Sequence, residues 1–464
     1  MLPPAPAKIH FIGIGGYGMS ALALILLKKG YLVSGSDLKQ SSLTENLVKS
    51  GAAVYAGHRA ENIGRADLAV YSTAISDENP EISAVKQRGL PLWHRSELLA
   101  ALLNSAYGIA IAGAHGKTTT TAMTALLLEA GGLDPTAVIG GVLPAYGSNA
   151  RLGSGPYLVA EADESDRSFT RYYPRLALVT GIEPDHLEHY DNDYVKLKDA
   201  YRIFLSHLSA GDTAVLCADD AGLIELAAGL DCRVVRYALN TGPGATDLYH
   251  AANIREEGNG SGFDLFLRNK PIARGIKLPV PGDHNISNAV GAYALAHQVG
   301  IDPAAVTGGL ASFTGVGRRF EIIGTVNGIT VVDDYAHHPT EIRATLEAAR
   351  SRFRRLICLF QPHRYSRTAA LFKEFSAAFS ASDYLLLHSI YPAGEDPVPG
   401  ISAQTLAGEI RLSSGIPVEQ DDDISVLEAR AAALAQPGDL IFTMGAGSIT
   451  YSAPQIVKRL LERS

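Results

Sequence analysis

Short apolar runs alternate with longer, half-apolar stretches from one end of this chain to the other. Residues 8–14 read as a strand and residues 19–29 as the helix after it. A second strand, 31–36, closes on Asp37, and a later one of the same unit spans 68–71. Residues 91–104 then cross to a new strand at 108–111, followed by a helix at 120–129 and strands at 157–160, 176–180 and 213–216. From 237 to 277 the chain turns polar and rich in Gly and Asn, with an alternating stretch at 263–267 that predicts a small antiparallel excursion. Helical spacing resumes at 285–297, and strands follow at 329–332, 356–360, 384–388 and 439–443. Strands alternating with helices predict α/β domains with mainly parallel sheets. The expected division is a Rossmann-like domain at 1–104, a central P-loop-type ATPase domain at 105–317 and a Rossmann-like domain at 318–464.

Length and composition agree with three soluble domains. The chain has 464 residues, 47% of them hydrophobic, enough for a core in each domain. The net charge of −8 argues against nucleic acid or an anionic membrane as partner, since no basic excess is available to neutralise phosphates. The longest apolar helical run, 21–27, falls far short of the roughly 20 residues that span a bilayer. The N-terminus lacks the pattern of a secretory signal, so a cytoplasmic protein is expected. Cys217, Cys232 and Cys358 show no C-x-x-C spacing and are expected to be reduced and buried.

Two glycine-rich turns carry the chemistry. The first holds Gly13, Gly15, Gly16 and Gly18 between a strand and a helix, where backbone N–H groups can approach a diphosphate at a helix N-terminus. Ser36 and Asp37, at the end of the next strand, are placed to meet a ribose or base. A nicotinamide-dependent oxidoreductase would carry the same fingerprint, so this turn alone leaves the ligand open.

The second turn, Gly113-Ala114-His115-Gly116-Lys117-Thr118-Thr119, departs from the strict phosphate-loop spacing because Ile111 stands at its first glycine position. Its working parts remain. The glycines expose N–H groups, Lys117 can reach the β- and γ-phosphates, and Thr118 can ligate Mg²⁺. Glu161, Asp163, Glu164 and Asp166 crowd the end of one strand, and Glu183, Asp185 and His186 follow another. Glu161 is the favoured metal ligand because it terminates an apolar strand, and His186 is a candidate for a second ion.

Taken together, GIGGYGMS, GAHGKTTTT, VAEADESDRSF, GIEPDHLEHY, PGDHNISNA, GRRFE, DDYAHHPTE and FQPHRYSRT resemble the Mur ligase family over nearly the whole chain. The resemblance implies an ATP-dependent ligase that joins an amino acid, here L-alanine, to the carboxylate of UDP-N-acetylmuramate through an acyl phosphate. It implies a third domain that closes over the site and two Mg²⁺ ions on Thr118, Glu161 and His186. Lys117 and Arg319 would meet the γ-phosphate, with His186 as a third catalytic group. Asn285, Asp334 and His337 would complete the ATP site, while Tyr335, His363, Arg364 and Arg367 would face the acyl group and the amino acid. Ala114 replaces the usual Thr before the histidine, and Gly181 stands where Asn is common. Tyr201 lies near the position where sister ligases carry a carbamylated lysine, a difference that fits the alanine-adding branch. A ligase that attaches a recycled tripeptide to the same sugar nucleotide would share these motifs, and a non-catalytic ATP-gated module is a third reading. A monomer or weak homodimer is expected.

Overall fold

In the computed structural model of the chain, residues 2–239, 248–258 and 260–463 are described. Five strands open the fold: β1 (Lys8–Ile12), β2 (Leu32–Asp37), β3 (Ala53–Ala56), β4 (Leu68–Tyr71) and β5 (Leu92–His94). They form a parallel sheet in the order β3-β2-β1-β4-β5. The order reverses between β1 and β4, so the carboxyl ends of those two strands border a crevice. Ile9, Phe11 and Ile12 of β1 are fully buried, as a central parallel strand covered on both faces requires. Helix Tyr17–Lys28 leaves the first glycine turn with its apolar residues buried from Met19 to Leu26.

The second sheet has ten strands. They are β6 (Tyr107–Ala112), β7 (Thr136–Leu143), β8 (Ser148–Arg151), β9 (Tyr157–Glu161), β10 (Leu176–Val179), β11 (Thr213–Cys217), β12 (Arg233–Ala238), β13 (Leu248–Glu257), β14 (Gly260–Leu267) and β15 (Lys270–Leu278). Their order is β15-β14-β13-β12-β11-β10-β6-β9-β7-β8. The core from β12 to β7 is parallel, whereas β13, β14 and β15 form the expected antiparallel excursion. Residues 240–247 and 259 of that excursion lie outside the described residues. The neighbouring strands β9, β6 and β10 run parallel and end at Glu161, Ala112 and Val179. The segments after all three therefore emerge side by side at one sheet edge.

The third sheet comprises β16 (Glu321–Val326), β17 (Ile329–Asp334), β18 (Leu356–Phe360), β19 (Tyr384–His388), β20 (Val418–Asp421) and β21 (Leu440–Met444), in the order β16-β17-β21-β18-β19-β20. Leu356 to Phe360 and Leu440 to Phe442 are buried on both faces of this sheet. The chain packs as two units: residues 1–279 with 285–314, and residues 280–284 with 315–464. The first two sheets thus share one unit. Helix Tyr17–Lys28 packs on β7 and β8, and Asn149 donates to the Tyr17 carbonyl at 2.5 Å. Among the described residues no helix is long and apolar enough to cross a membrane, and the three cysteines are free and buried.

Candidate functional site

At the first turn, the strand-to-helix connection is tied to β2. The N–H groups of Gly13 and Ile14 both donate to the Ser36 carbonyl, at 2.8 and 2.9 Å. The Gly15 N–H donates to Asp37 Oδ2 at 2.8 Å. A Cβ on Gly15 would sit 2.8 Å from that same oxygen, so any larger residue would push the Asp37 carboxylate off the turn. Asp37 thus holds the turn itself as well as bordering a cavity of about 300 Å³ lined by Lys39, Thr44, Glu45, Lys49 and Tyr55. The Ser36 side chain points inward and is fully buried against Glu81 and His58.

At the second turn, Gly116 is left-handed at φ 81° and caps helix Lys117–Ala130. The helix begins at Lys117, three residues earlier than its apolar spacing suggests, because the chain turns at Gly116 and Thr118 to Thr121 are buried within it. A side chain at Gly116 would collide with the Asn288 amide, and one at Gly113 with Thr180. Asn285 and Asn288 are buried on the first turns of helix Asp283–Gln298. The Ala114 N–H donates to the Gly181 carbonyl at 2.9 Å, and Thr180 Oγ1 donates to the His115 carbonyl at 2.5 Å. His115 Nε2 lies 3.4 Å from Glu183. A cavity of about 440 Å³ opens here, lined by Ala114, His115, Gly181, Glu183, Cys217 and Asp220.

Lys117 donates from Nζ to the Gly113 carbonyl at 2.7 Å and to Glu164 Oε1 at 2.8 Å. Burial alone would lower its pKa, but Glu164 and Asp163 outweigh burial and raise it, so the ammonium stays charged. Burial and the neighbouring Asp163 push the Glu164 carboxyl up despite its bond to Lys117. Glu164 Oε2 is buried without a partner. Thr118 Oγ1 faces Glu161 Oε2 at 3.2 Å, and the other oxygen of Glu161 accepts from the Gly140 N–H. His186, at φ 55°, lies between Asp185 at 3.4 Å and Glu188 at 3.7 Å.

The two turns are joined by a residue that apolar spacing does not single out. Arg95 opens helix Arg95–Asn104, whose start is fixed by a capping box between His94 and Glu97. Its guanidinium lies 2.9 Å from Asp163 and 3.5 Å from Asp166, and a Cβ on Gly18 would approach it to 3.4 Å. Asp163, half-buried between Arg95 and Lys117, is held well below the usual carboxylate range. The acidic strand end after β9 therefore serves two cations, Lys117 of the second turn and Arg95 of the helix Arg95–Asn104. Arg95 was missed as a site residue because its partner lies 68 residues away, and Glu164, expected only as one of four clustered acids, was not foreseen as the partner of Lys117.

The second unit gathers its own set. Arg318 and Arg319 flank the Tyr335 ring at 4.9 and 5.1 Å. Glu341 lies 3.6 Å from Arg319 and 3.4 Å from His337. Asp334 accepts the N–H groups of Phe320 and Ala336 at 2.7 Å each, yet burial raises its pKa to about 6. His363 stacks on Tyr391 at 5.5 Å, and Arg364 lies 3.6 Å from Glu395. Arg367 is buried in the short helix Tyr365–Ala370.

Three family models cover this architecture. The model described as "Mur ligase family, catalytic domain" matches residues 8–107, "Mur ligase middle domain" matches 111–296, and "Mur ligase, glutamate ligase domain" matches 318–447. A Geobacter sulfurreducens protein named UDP-N-acetylmuramate–L-alanine ligase is 46% identical over 457 residues, spanning 98% of each chain. The chain belongs to the Mur ligase family. The crystal structure of a UDP-N-acetylmuramate-alanine ligase from Thermotoga maritima matches with a TM-score of 0.83 at 30% identity, over 98% of this chain and 100% of that one. A murein peptide ligase from Psychrobacter arcticus matches less well, with a TM-score of 0.73 at 25% identity over 98% of each chain. Membership of the Mur ligase family removes the oxidoreductase reading that the first turn left open. The family's C–N bond-forming, ATP-dependent chemistry accounts for the lysine turn and the acidic strand end, which that reading did not.

Proposed function

We propose that this Mur ligase joins L-alanine to the lactyl carboxylate of UDP-N-acetylmuramate, with ATP converted to ADP and phosphate. The similarity of close to half the residues over 98% of the chain to a protein named for that reaction carries the reading. In it, a carboxylate oxygen attacks the γ-phosphorus, the bond to the β-phosphate oxygen breaks, and ADP leaves. The amine of alanine then attacks the acyl carbon, phosphate departs with the C–O electron pair, and the amine loses a proton. Two anions must meet in the first step, so positive charge has to offset their repulsion. Lys117 supplies it, already charged on Glu164, and Arg319 is assigned to the same phosphate.

The facing oxygens of Thr118 and Glu161 fit a hard divalent cation such as Mg²⁺, which would polarise the phosphoryl oxygens when bound. His186, set between two carboxylates, is assigned to a second ion. The cavity beside Gly181 is assigned to the nucleoside of ATP, together with Asn285, Asp334 and His337. The cavity beside Asp37 is assigned to the nucleoside of the sugar nucleotide. Tyr335, His363, Arg364 and Arg367 are assigned to the acyl group and the amino acid. We assign the enzyme to the cytoplasm and expect a monomer or weak homodimer. The better match to alanine ligases than to a murein peptide ligase disfavours the tripeptide-recycling alternative.

The deciding experiment measures phosphate release from ATP and Mg²⁺ with UDP-N-acetylmuramate and, separately, L-alanine, glycine, L-serine or a tripeptide. Release that needs both the sugar nucleotide and L-alanine is expected. Release with the tripeptide alone would move the chain to the recycling reaction.

A further inference from the structure

The first domain buries a carboxylate that takes no part in the chemistry above. Glu81, near the start of helix Pro80–Gln87, is fully buried. A buried carboxylate is costly unless donors surround it. Here they come from three separate segments. Ser36 Oγ donates at 2.5 Å, Asn62 Nδ2 at 2.6 Å and the Arg59 N–H at 3.2 Å, while His10 Nε2 lies at 3.4 Å and His58 Nδ1 at 3.6 Å. Such a set goes beyond what capping a helix requires.

Of these partners, Ser36 leads directly to the first glycine turn. Its carbonyl receives the N–H groups of Gly13 and Ile14, and the Oδ2 of the next residue, Asp37, receives that of Gly15. Three consecutive N–H groups of the turn thus hang from residues 36 and 37, and the side-chain anchor of that pair is Glu81. Those three N–H groups are committed inside the protein and the Gly16 N–H turns back to the Gly13 carbonyl at 3.4 Å, so an incoming diphosphate would be met at the N-terminal end of helix Tyr17–Lys28. The placement of that helix end depends on where residues 36 and 37 are held.

We propose that Glu81 is a positioning residue for the diphosphate turn, acting through Ser36: the buried carboxylate fixes the end of β2, and β2, by holding the N–H groups of residues 13–15, places the helix end that meets the sugar nucleotide. This rests on the reading of the turn as the UDP-N-acetylmuramate site. Anion recognition by N–H groups weakens steeply with distance and angle, so a small shift of the turn suffices to move affinity without touching the reacting atoms.

The test compares Ser36→Ala, Glu81→Gln and the double variant by steady-state kinetics, and by calorimetric titration with UDP-N-acetylmuramate. Each single variant is expected to raise KM and Kd for the sugar nucleotide on the order of tenfold. The double variant should resemble the singles, because both act on one link, with kcat and the KM for ATP within about twofold of the parent. Additive effects, an unchanged Kd in Ser36→Ala, or equal losses at both nucleotides would overturn the proposal. Ser36→Ala removes one oxygen and keeps the carbonyl that holds the turn, so it decides the matter if Glu81→Gln does not fold. Absence of turnover in the parent enzyme would instead count against the ligase reading, and the titration would still report on the turn.

Discussion

The two glycine turns of this ligase look alike in sequence and are built on opposite plans. The first is a finished backbone cradle: its early N–H groups are already bonded to Ser36 and Asp37, and its anchor is a buried acid one step away. The second is loaded with charge: Lys117 lies across its own loop, bonded to the Gly113 carbonyl and to Glu164. A ligand at the first turn finds its donors in place, whereas a phosphate at the second has to draw a lysine away from a carboxylate. The difference suits the chemistry. In the proposed reaction the sugar nucleotide's diphosphate would only be held, while the γ-phosphate of ATP would be transferred and would need its cation where charge develops.

Breaking the second turn should have the largest effect. Lys117→Ala is expected to lower kcat on the order of a thousandfold while leaving UDP-N-acetylmuramate affinity within about twofold; loss of both would contradict the separation of the two turns. Next comes Glu161→Ala, expected to raise the Mg²⁺ concentration for half-maximal rate about tenfold or more. An unchanged Mg²⁺ dependence would remove Glu161 as a ligand. Smaller, and opposite in sign, is Glu164→Gln. Taking the competing carboxylate off Lys117 should tighten ATP binding by roughly three- to tenfold, in the range of about 1 kcal/mol for an ion pair. Weaker ATP binding in this variant would mean that Glu164 aims the lysine rather than restrains it.

The subtlest test concerns the anchor of the first turn. Burial would raise the Glu81 pKa, but the bonds from His10, Ser36 and Asn62 carry it down to about 2. A depressed carboxylate stabilises the fold above its unfolded value of 4.5, and that contribution is lost as pH falls from 4.5 towards 2. The shift corresponds to roughly 3 kcal/mol at neutral pH. Thermal unfolding of Glu81→Gln and parent should therefore differ most above about pH 5 and converge in acid. A difference independent of pH would show that packing rather than charge is lost. His10 and His58 face the same carboxylate, at 3.4 and 3.6 Å.

The framework was legible because it rests on local patterns. The spans 68–71, 356–360 and 384–388 are fully buried or nearly so, and their apolar runs mark both ends as observed. The strand Ala53–Ala56 was not foreseen because its apolar run is short, four residues between a preceding alanine and a glycine, and most of it is exposed. The glycine turns, Lys117, Thr118 and Glu161 could be found because each sits at a strand end, where α/β sheets present ligands. Glu81 could not. Its helix reads PEISAVKQ, an unremarked mix of polar and apolar residues, and its partners lie 19 to 71 residues away. Arg95 meets Asp163 across 68 residues for the same reason. What a side chain touches across the fold leaves no periodic trace.

Arg95 has one more implication, for how the chain can be cut. Its guanidinium stitches the helix that ends the first sheet's domain to the acidic turn of the second, and Asn149 of the second sheet grips the helix that leaves the first glycine turn. The two domains are distinct in topology but share these half-buried fasteners. A fragment ending near residue 104 would leave Arg95 and the face of helix Tyr17–Lys28 without their counterparts. The natural seam for dissection lies instead near residue 315, where the first two domains part from the third as a single piece.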